Sequence, residues 1–318
     1  MSPEIIGLRR PRFADPDDDA AFERDGYVVV DLVDAAGLEQ LSSVFAALEP
    51  PGPVGFTASL QGRDLEENLV IADQILAVVG PGLHRTLTGF EVIGATFLTK
   101  TGGDEGAMEV HQDWNSVDER TDRSMNVWCT LRDIDLADGP LEVVPGSHLW
   151  FDAVRAPLVP SPTFAFDGQL EAGLVALELR AGQAVIYDHA LLHGSRANRS
   201  GRPRTIAQVG ITGVGAPLVM GFPAGDDQIE LRSVPAVAFF DGLAFEVVSP
   251  DQRPGTVVEV MPNAPVTEAQ VLARLGGDEH PAEAVPVEPA ASAVAGRGTW
   301  WHRIRARRSR ADRRGGHG

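Results

Sequence analysis

Val110-His111-Gln112-Asp113-Trp114 is the stretch around which this sequence is organised, and His193 is its distant complement. A His-X-Asp pair with a later histidine is the sequence form of a metal site made of two imidazoles and one carboxylate. Three protein ligands leave coordination positions open for substrates, which suits a catalytic Fe(II). In a β-strand the two-residue repeat turns His111 and Asp113 to the same side. We therefore expect one strand to present both ligands to one ion.

The segments around this pair favour a β domain. Abundant glycine and proline, 34 and 23 residues, separate short β-rich runs as turns. The predicted strands are Glu91–Lys100, Glu109–Asp113, Met125–Asp133, Leu141–Val144, Leu174–Leu179, Ala184–Tyr187 and Arg204–Gly210. Many short strands of this kind indicate a mainly β fold with a closed or double-sheeted core, such as a jelly roll.

Helical spacing is confined to the two ends of the chain. Before the strands, Asp17–Asp25, Ala35–Leu48 and Glu67–Val79 are predicted helices, and Gly80-Pro81-Gly82 is expected to end the third. After them, Val266–Leu275 is the last candidate helix. We predict one domain over residues 1–275, with the N-terminal helices packed outside the sheets. Residues 276–318 are expected to be a disordered Ala/Pro/Glu-rich linker and an arginine-rich tail.

Charge and composition exclude several classes of protein. The net charge is −18, and the last 22 residues hold eight arginines against one acid, which leaves the body at −25. A body this acidic predicts no nucleic-acid partner. The single cysteine, Cys129, excludes an intrachain disulfide. No signal peptide or membrane-spanning run is recognised, so a soluble cytoplasmic protein is expected.

Two further segments follow the metal pair. The first is Asp138-Gly139-Pro140-Leu141-Glu142-Val143-Val144-Pro145-Gly146-Ser147-His148. The second begins with His193-Gly194-Ser195 and continues through Asn198-Arg199-Ser200 to Arg204. With the His-X-Asp pair, and in this order, they make residues 25–211 resemble the phytanoyl-CoA dioxygenase family of Fe(II)- and 2-oxoglutarate-dependent oxygenases. The resemblance implies a double-stranded β-helix, a cupin-like variant of the jelly roll, in agreement with the strand pattern.

The resemblance also implies roles for individual residues. His111, Asp113 and His193 would bind Fe(II), and Arg204 would hold the distal carboxylate of 2-oxoglutarate. A planar guanidinium suits that task because it makes two parallel charge-assisted bonds to a carboxylate. Ser195 would support the same carboxylate, and Gln112 and Trp128 would line the co-substrate site.

The implied reaction uses 2-oxoglutarate and O₂ to hydroxylate a C–H bond of a small organic metabolite, with release of succinate and CO₂. Natural-product biosynthesis is the leading context, by analogy alone. Because Asp113 is retained, hydroxylation, desaturation or epoxidation is favoured over the halogenation found in relatives that lack this carboxylate. Two alternatives stay open: a metal-dependent cupin-like isomerase or hydrolase that does not use 2-oxoglutarate, and a non-catalytic ligand-binding protein. Neither the substrate nor the oligomeric state can be deduced from the sequence.

Several residues have rival interpretations. His189 is the alternative distal ligand, and Arg202 is the alternative carboxylate anchor. Lys100, the single lysine, either meets an anion in the site or ends its strand in solvent. His148 is expected to be structural. Alternation over residues 125–132 assigns Cys129 to the core and Asn126 and Trp128 to the opposite face, which could line a pocket. The segments Pro51–Arg63 and Phe151–Leu170 are the candidate specificity loops.

Overall fold

A computed structural model describes residues 8–48, 55–225, 227–240 and 249–276 of the chain. Its helices are α1 (Pro16–Asp25), α2 (Ala35–Ala47), α3 (Leu65–Thr86), α4 (Asp167–Leu170) and α5 (Glu268–Leu275). Its strands are β1 (Arg12–Phe13), β2 (Tyr27–Asp31), β3 (Phe56–Ala58), β4 (Leu87–Thr88), β5 (Phe90–Lys100), β6 (Met108–His111), β7 (Ser124–Thr130), β8 (Leu141–Val143), β9 (Val175–Leu177), β10 (Gln183–Asp188), β11 (His193–Ser195), β12 (Arg204–Gly213), β13 (Val219–Pro223), β14 (Gln228–Ser233) and β15 (Thr256–Pro262). Apart from Gly276, the expected linker and tail lie outside the described residues.

The major sheet has six antiparallel strands in the order β2-β10-β7-β12-β5-β3. Its longest pairing joins β12 to β5, from Arg204 opposite Lys100 to Gly213 opposite Phe90. Alternation along β7 sends Met125, Val127 and Cys129 into a hydrophobic core on one face. The prediction that Cys129 is a packing residue is confirmed.

The minor sheet has four antiparallel strands in the order β6-β11-β8-β9. It faces the major sheet across one apolar cluster, because Trp128, Val185 and Ile206 of the major sheet pack with Leu141 and Val143 of the minor sheet. The fold is therefore mainly β and double-sheeted, as expected for the jelly-roll class. The short strand β11 and the three-stranded sheet β13-β14-β15 were not predicted.

The N-terminal helices cover the outer face of the major sheet. Phe22 of α1, Leu41 of α2 and Ile75 of α3 are fully buried in the same cluster as Met125 and Val127. This confirms the expected placement of the helices outside the sheets. No helix in the described part of the chain is long and apolar enough to cross a bilayer.

The predicted end of the third helix is wrong. Helix α3 continues through Gly80, Pro81 and Gly82 to Thr86. The buried residues Val79, Gly82 and Leu83 extend its apolar face, so packing outweighs the helix-breaking tendency of this tripeptide. A Cβ on Gly82 would lie 2.2 Å from the Leu32 carbonyl oxygen, which explains why glycine is required there.

Candidate metal centre

The side chains of His111 and His193, both from the minor sheet, meet the side chain of Asp113, which follows β6. His111 ends β6 and His193 begins β11, and these two residues are directly paired across the strands. Asp113 Oδ1 lies 3.9 Å from His111 Nε2 and 3.8 Å from His193 Nε2. The three candidate ligand atoms all lie within 4.8 Å of one another. The structure therefore brings together the residues expected from the sequence.

The prediction that one strand presents both ligands is wrong, because His111 and Asp113 do not share a strand. Strand β6 ends at His111, and the Asp113 N–H donates to the His189 carbonyl at 2.9 Å. The carboxylate is thus placed by the turn before β11 and not by strand alternation. His189 supplies this backbone contact, and His193 supplies the imidazole at the centre.

Hydrogen bonds prepare each ligand for a metal. His111 Nδ1 lies 2.8 Å from the Glu109 carbonyl and His193 Nδ1 lies 2.9 Å from the Leu191 carbonyl, so both rings donate through Nδ1 and keep the Nε2 lone pair free. Asn126 Nδ2 donates to Asp113 Oδ2 at 2.6 Å, which leaves Oδ1 facing the two histidines. Two imidazoles and one carboxylate in this state fit a divalent metal with open coordination positions, as in non-haem Fe(II) sites.

The protonation states agree with ligation. Burial, together with the nearby His193, lowers the pKa of His111 to about 4. Burial acts to raise the pKa of Asp113, but the three surrounding histidines and the Asn126 hydrogen bond bring it below its ordinary value. Near neutral pH the His111 imidazole is neutral and the carboxylate is ionised, which are the forms that bind metals.

Arg204, at the start of β12, is a buried cation without a carboxylate partner among the described residues. Its side chain is 1% exposed, its guanidinium lies 4.8 Å from the Trp128 ring centre, and Nη1 donates to the Gly139 carbonyl. Nε has no hydrogen-bond partner. Burial lowers the pKa of Arg204 to about 9, with the Arg132 charge acting in the same sense. An unpaired buried guanidinium is suited to receive an anion.

Lys100 lies opposite Arg204 on β5 and is fully buried. The alternative that Lys100 ends its strand in solvent is therefore wrong. Its ammonium donates to three oxygens: Ser195 Oγ, the Ser195 carbonyl at 3.1 Å and the Arg196 carbonyl at 2.6 Å. Burial and the neighbouring Arg204 charge lower the pKa of Lys100 well below its ordinary value. Lys100 thus joins the end of β5 to the strand that carries His193.

One cavity of about 300 Å³ connects the candidate metal ligands with Arg204. Its lining includes the three candidate ligands and all four residues expected at the co-substrate site, Arg204, Ser195, Gln112 and Trp128. The Gln112 amide donates to the Ala190 carbonyl at 2.5 Å, which ties this side chain to the turn before His193. By contrast, Arg202 is exposed and lies near Asp138, outside the cavity lining.

Both candidate specificity loops contribute to the cavity. The first supplies Phe56, Ala58 and Leu60, and the second supplies residues between Arg155 and Phe164. His148 is buried against Phe22 beneath α1 and is not part of the lining, which agrees with a structural role.

Sequence reasoning missed Gln208 and the pair Phe239–Phe240, which also line the cavity. Gln208 follows Arg204 by four residues on β12, so strand alternation from Arg204 could have found it. The two phenylalanines come from the segment after β14, where no motif marks them.

Comparison with known proteins gives a family match over the segment that contains the site. Residues 56–206 match the family model described as phytanoyl-CoA dioxygenase. No curated protein matches the sequence.

Several solved structures are similar in fold. HygX from Streptomyces hygroscopicus, with nickel, 2-oxoglutarate and hygromycin B bound, is 17% identical with a TM-score of 0.44, over 63% of this chain and 88% of HygX. EctD from S. alaskensis with bound Fe is 22% identical with a TM-score of 0.46, over 65% of this chain and 79% of EctD. The carbocyclase SnoK from nogalamycin biosynthesis is 16% identical with a TM-score of 0.49, over 77% of this chain and 93% of SnoK.

The family match spans all three candidate metal ligands and Arg204. Residues 56–206, which carry the candidate metal ligands, are thus similar to the phytanoyl-CoA dioxygenase family, the family that the sequence motifs resemble.

Proposed function

We propose that this protein is an Fe(II)- and 2-oxoglutarate-dependent oxygenase that hydroxylates a C–H bond of a small organic molecule. One observation carries the proposal: a single cavity is lined by a two-histidine, one-carboxylate triad and by a buried arginine that has no carboxylate partner among the described residues. The triad suits the metal, and the arginine suits the far carboxylate of a dicarboxylic co-substrate.

His111, Asp113 and His193 would hold the iron. When bound, iron with 2-oxoglutarate and O₂ supplies an oxidant that inserts one oxygen atom into a C–H bond, while the other oxygen atom enters succinate and CO₂ is released. The hydrogen bonds of His111 Nδ1 to Glu109 and of His193 Nδ1 to Leu191 keep both Nε2 atoms available throughout.

The cationic end of the cavity orients the co-substrate. Arg204 would receive the far carboxylate, and its guanidinium lies against the Trp128 ring. Ser195 Oγ accepts from Lys100, so its own hydroxyl proton is free to be donated to the same carboxylate. Lys100 acts as a positioning residue and adds a second positive charge nearby.

The test is succinate formation. The purified protein is incubated with Fe(II), ascorbate, 2-oxoglutarate and air, and succinate is followed by NMR. We expect slow succinate release even without a primary substrate, its loss in His193→Ala, and its strong reduction in Arg204→Leu. If Arg204→Leu keeps full turnover of a substrate without 2-oxoglutarate, the cupin-like isomerase or hydrolase is the correct function. If no succinate forms with any candidate substrate, a ligand-binding role is favoured.

A further inference from the structure

The part of the cavity that 2-oxoglutarate would not fill, called the substrate half below, has few charged groups that are free to bind a ligand. Arg155 lines it, but Glu119 holds both of its terminal nitrogens, at 2.8 and 2.6 Å, and its Nε donates to the Asp113 carbonyl at 2.7 Å. Apart from the candidate ligand Asp113, the acidic residue in the described lining is Glu109, and its negative charge disfavours an anionic substrate. With 2-oxoglutarate on Arg204, no guanidinium in the described lining remains to bind a second anion.

The walls of this half are mostly apolar. Four separate segments supply them, and representative residues are Phe56, Leu60, Ile93, Val159, Phe164 and Phe240. Gly94 and Gly210 are paired across β5 and β12, and the Phe240 ring covers Gly94, because a Cβ there would lie 3.1 Å from the ring. A mostly apolar molecule matches such walls.

Several polar side chains interrupt these walls. Thr96, Ser116 and Ser161 hydrogen-bond to other side chains of the protein, whereas the orientation of Gln208 is determined by the metal centre. The Asp113 carboxylate can only accept, so Asn126 must turn its NH₂ group toward Asp113 and its carbonyl away. That carbonyl accepts from Gln208 Nε2 at 2.8 Å. Gln208 Oε1 is therefore left as a hydrogen-bond acceptor, and no described residue donates to it in the lining of the cavity.

We propose that this cavity binds a neutral, mostly apolar small molecule that carries a hydroxyl group and donates it to Gln208 Oε1. The inference rests on the proposed oxygenase function and names the substrate class of that same site. It also links the bound hydroxyl through Gln208 and Asn126 to Asp113, so that one hydrogen-bonded chain joins substrate and metal ligand.

Four naphthalene derivatives test the proposal by equilibrium dialysis, under argon, against protein loaded with Fe(II) and saturating 2-oxoglutarate. They are 2-naphthol, 2-methoxynaphthalene, naphthalene-2-carboxylate and 2-naphthylmethylammonium. The methoxy compound keeps the oxygen but cannot donate, and the last two carry opposite charges. The variant is Gln208→Leu, and the matched control is Gln40→Leu, the same change at an exposed position of α2.

We expect 2-naphthol to bind about tenfold more tightly than the other three, and Gln208→Leu to remove its advantage over 2-methoxynaphthalene. Gln40→Leu should bind 2-naphthol more tightly than 2-methoxynaphthalene, as the wild-type protein does. Equal or tighter binding of the carboxylate or the ammonium overturns the neutral class, and so does failure of both uncharged probes to bind. An unchanged preference for 2-naphthol in Gln208→Leu overturns the role of Gln208.

The visible charge-transfer band of the Fe(II)–2-oxoglutarate complex is recorded on the same samples. If the band is present and the probes behave otherwise than expected, the substrate class is wrong while the oxygenase function stands. If the band is absent from the wild-type protein, the function itself has failed.

Discussion

Arg204 and Lys100 face each other across two antiparallel strands, and both are almost wholly buried. Neither has a carboxylate within ion-pair distance in the described part of the chain. Two adjacent buried cations are unfavourable for folding unless something compensates them. A bound dicarboxylate would do so, and the donors are already in place before it arrives. We interpret this pair as the prepared anion site of the enzyme.

Replacing Arg204 tests this interpretation at one residue. Arg204→Leu should weaken 2-oxoglutarate binding about 100-fold, because a charge-assisted bond in a buried site contributes on the order of 2–3 kcal/mol. The measurement is a titration of the Fe(II)-loaded protein with 2-oxoglutarate. Arg202→Leu is the matched control, since Arg202 is exposed and should be replaceable without effect. If Arg202→Leu weakens binding and Arg204→Leu does not, the anchor has been assigned to the wrong arginine.

The turn between β10 and β11 holds the metal motif through three consecutive carbonyls. The His189 carbonyl accepts from the Asp113 N–H, the Ala190 carbonyl from the Gln112 amide, and the Leu191 carbonyl from His193 Nδ1. Asp188 braces the same turn, because its Oδ1 accepts from the Ala190 N–H at 2.8 Å. The geometry of the centre thus depends on backbone atoms of one short connection.

Asp188 gives this turn a pH dependence. Burial raises the pKa of its carboxyl to about 6, although Arg123 acts in the opposite sense. Between pH 4 and 6 the folded state holds a proton that the unfolded state has lost, so this group makes stability fall as pH rises, and the cost persists above pH 6. Asn cannot ionise. Asp188→Asn should therefore gain stability relative to wild type as pH rises from 4 to 7, up to about 3 kcal/mol.

The measurement is urea unfolding of both proteins across that pH range. Asp31→Asn, at an exposed position of β2, is the control and should show no such gain. A difference between Asp188→Asn and wild type that does not vary with pH would contradict the assignment.

Helix α3 allows a paired test of packing against helix propensity. Gly82→Ala should lower the free energy of unfolding by about 1–3 kcal/mol, because the new Cβ meets the Leu32 carbonyl. Gly80→Ala meets no atom within 4 Å, so it should change stability by less than about 1 kcal/mol, even though Pro81 follows. Thermal unfolding of both variants decides the matter. Equal stability of the two would show that the contact with Leu32 is not limiting.

These elements also show what sequence could and could not predict. Strands such as β5, β7 and β12 were predicted because alternation of apolar and polar residues is a local signal. The continuation of α3 depends on the close approach of Gly82 to Leu32, and the position of Asp113 depends on a carbonyl 76 residues away in sequence. Neither contact leaves a local pattern. The ligand set, Arg204 and Ser195 were found through the family resemblance, and their roles stay predictions; Gln208 and Phe240 had no motif.

At the scale of the whole molecule, the site lies between the two sheets. His111 and His193 come from the minor sheet, whereas Arg204, Trp128 and Asn126 come from the major sheet. Iron and 2-oxoglutarate together would therefore connect the sheets. The division into a domain over residues 1–275 and a separate C-terminal extension stays a prediction, because residues 277–318 are not described.

Metal binding should consequently stabilise the entire fold. With free Fe(II) at 100 times its Kd, the free energy of unfolding should rise by about 2.7 kcal/mol, and a chelator should reverse the gain. Anaerobic thermal unfolding with and without Fe(II) measures it. His193→Ala should unfold at the same temperature under both conditions. Equal stabilisation of this variant by Fe(II) would mean that the metal binds elsewhere.

We expect the triad and Arg204 together to bind iron and 2-oxoglutarate, and an anaerobic titration of the apoprotein is the first test. Fe(II) is added first, then 2-oxoglutarate, while the visible metal-to-ligand charge-transfer band is recorded. We predict that the band appears in the wild-type protein, is absent in His111→Ala, and requires far more 2-oxoglutarate in Arg204→Leu. Iron binding without a band at any concentration of 2-oxoglutarate would contradict the co-substrate assignment and favour the cupin-like alternative.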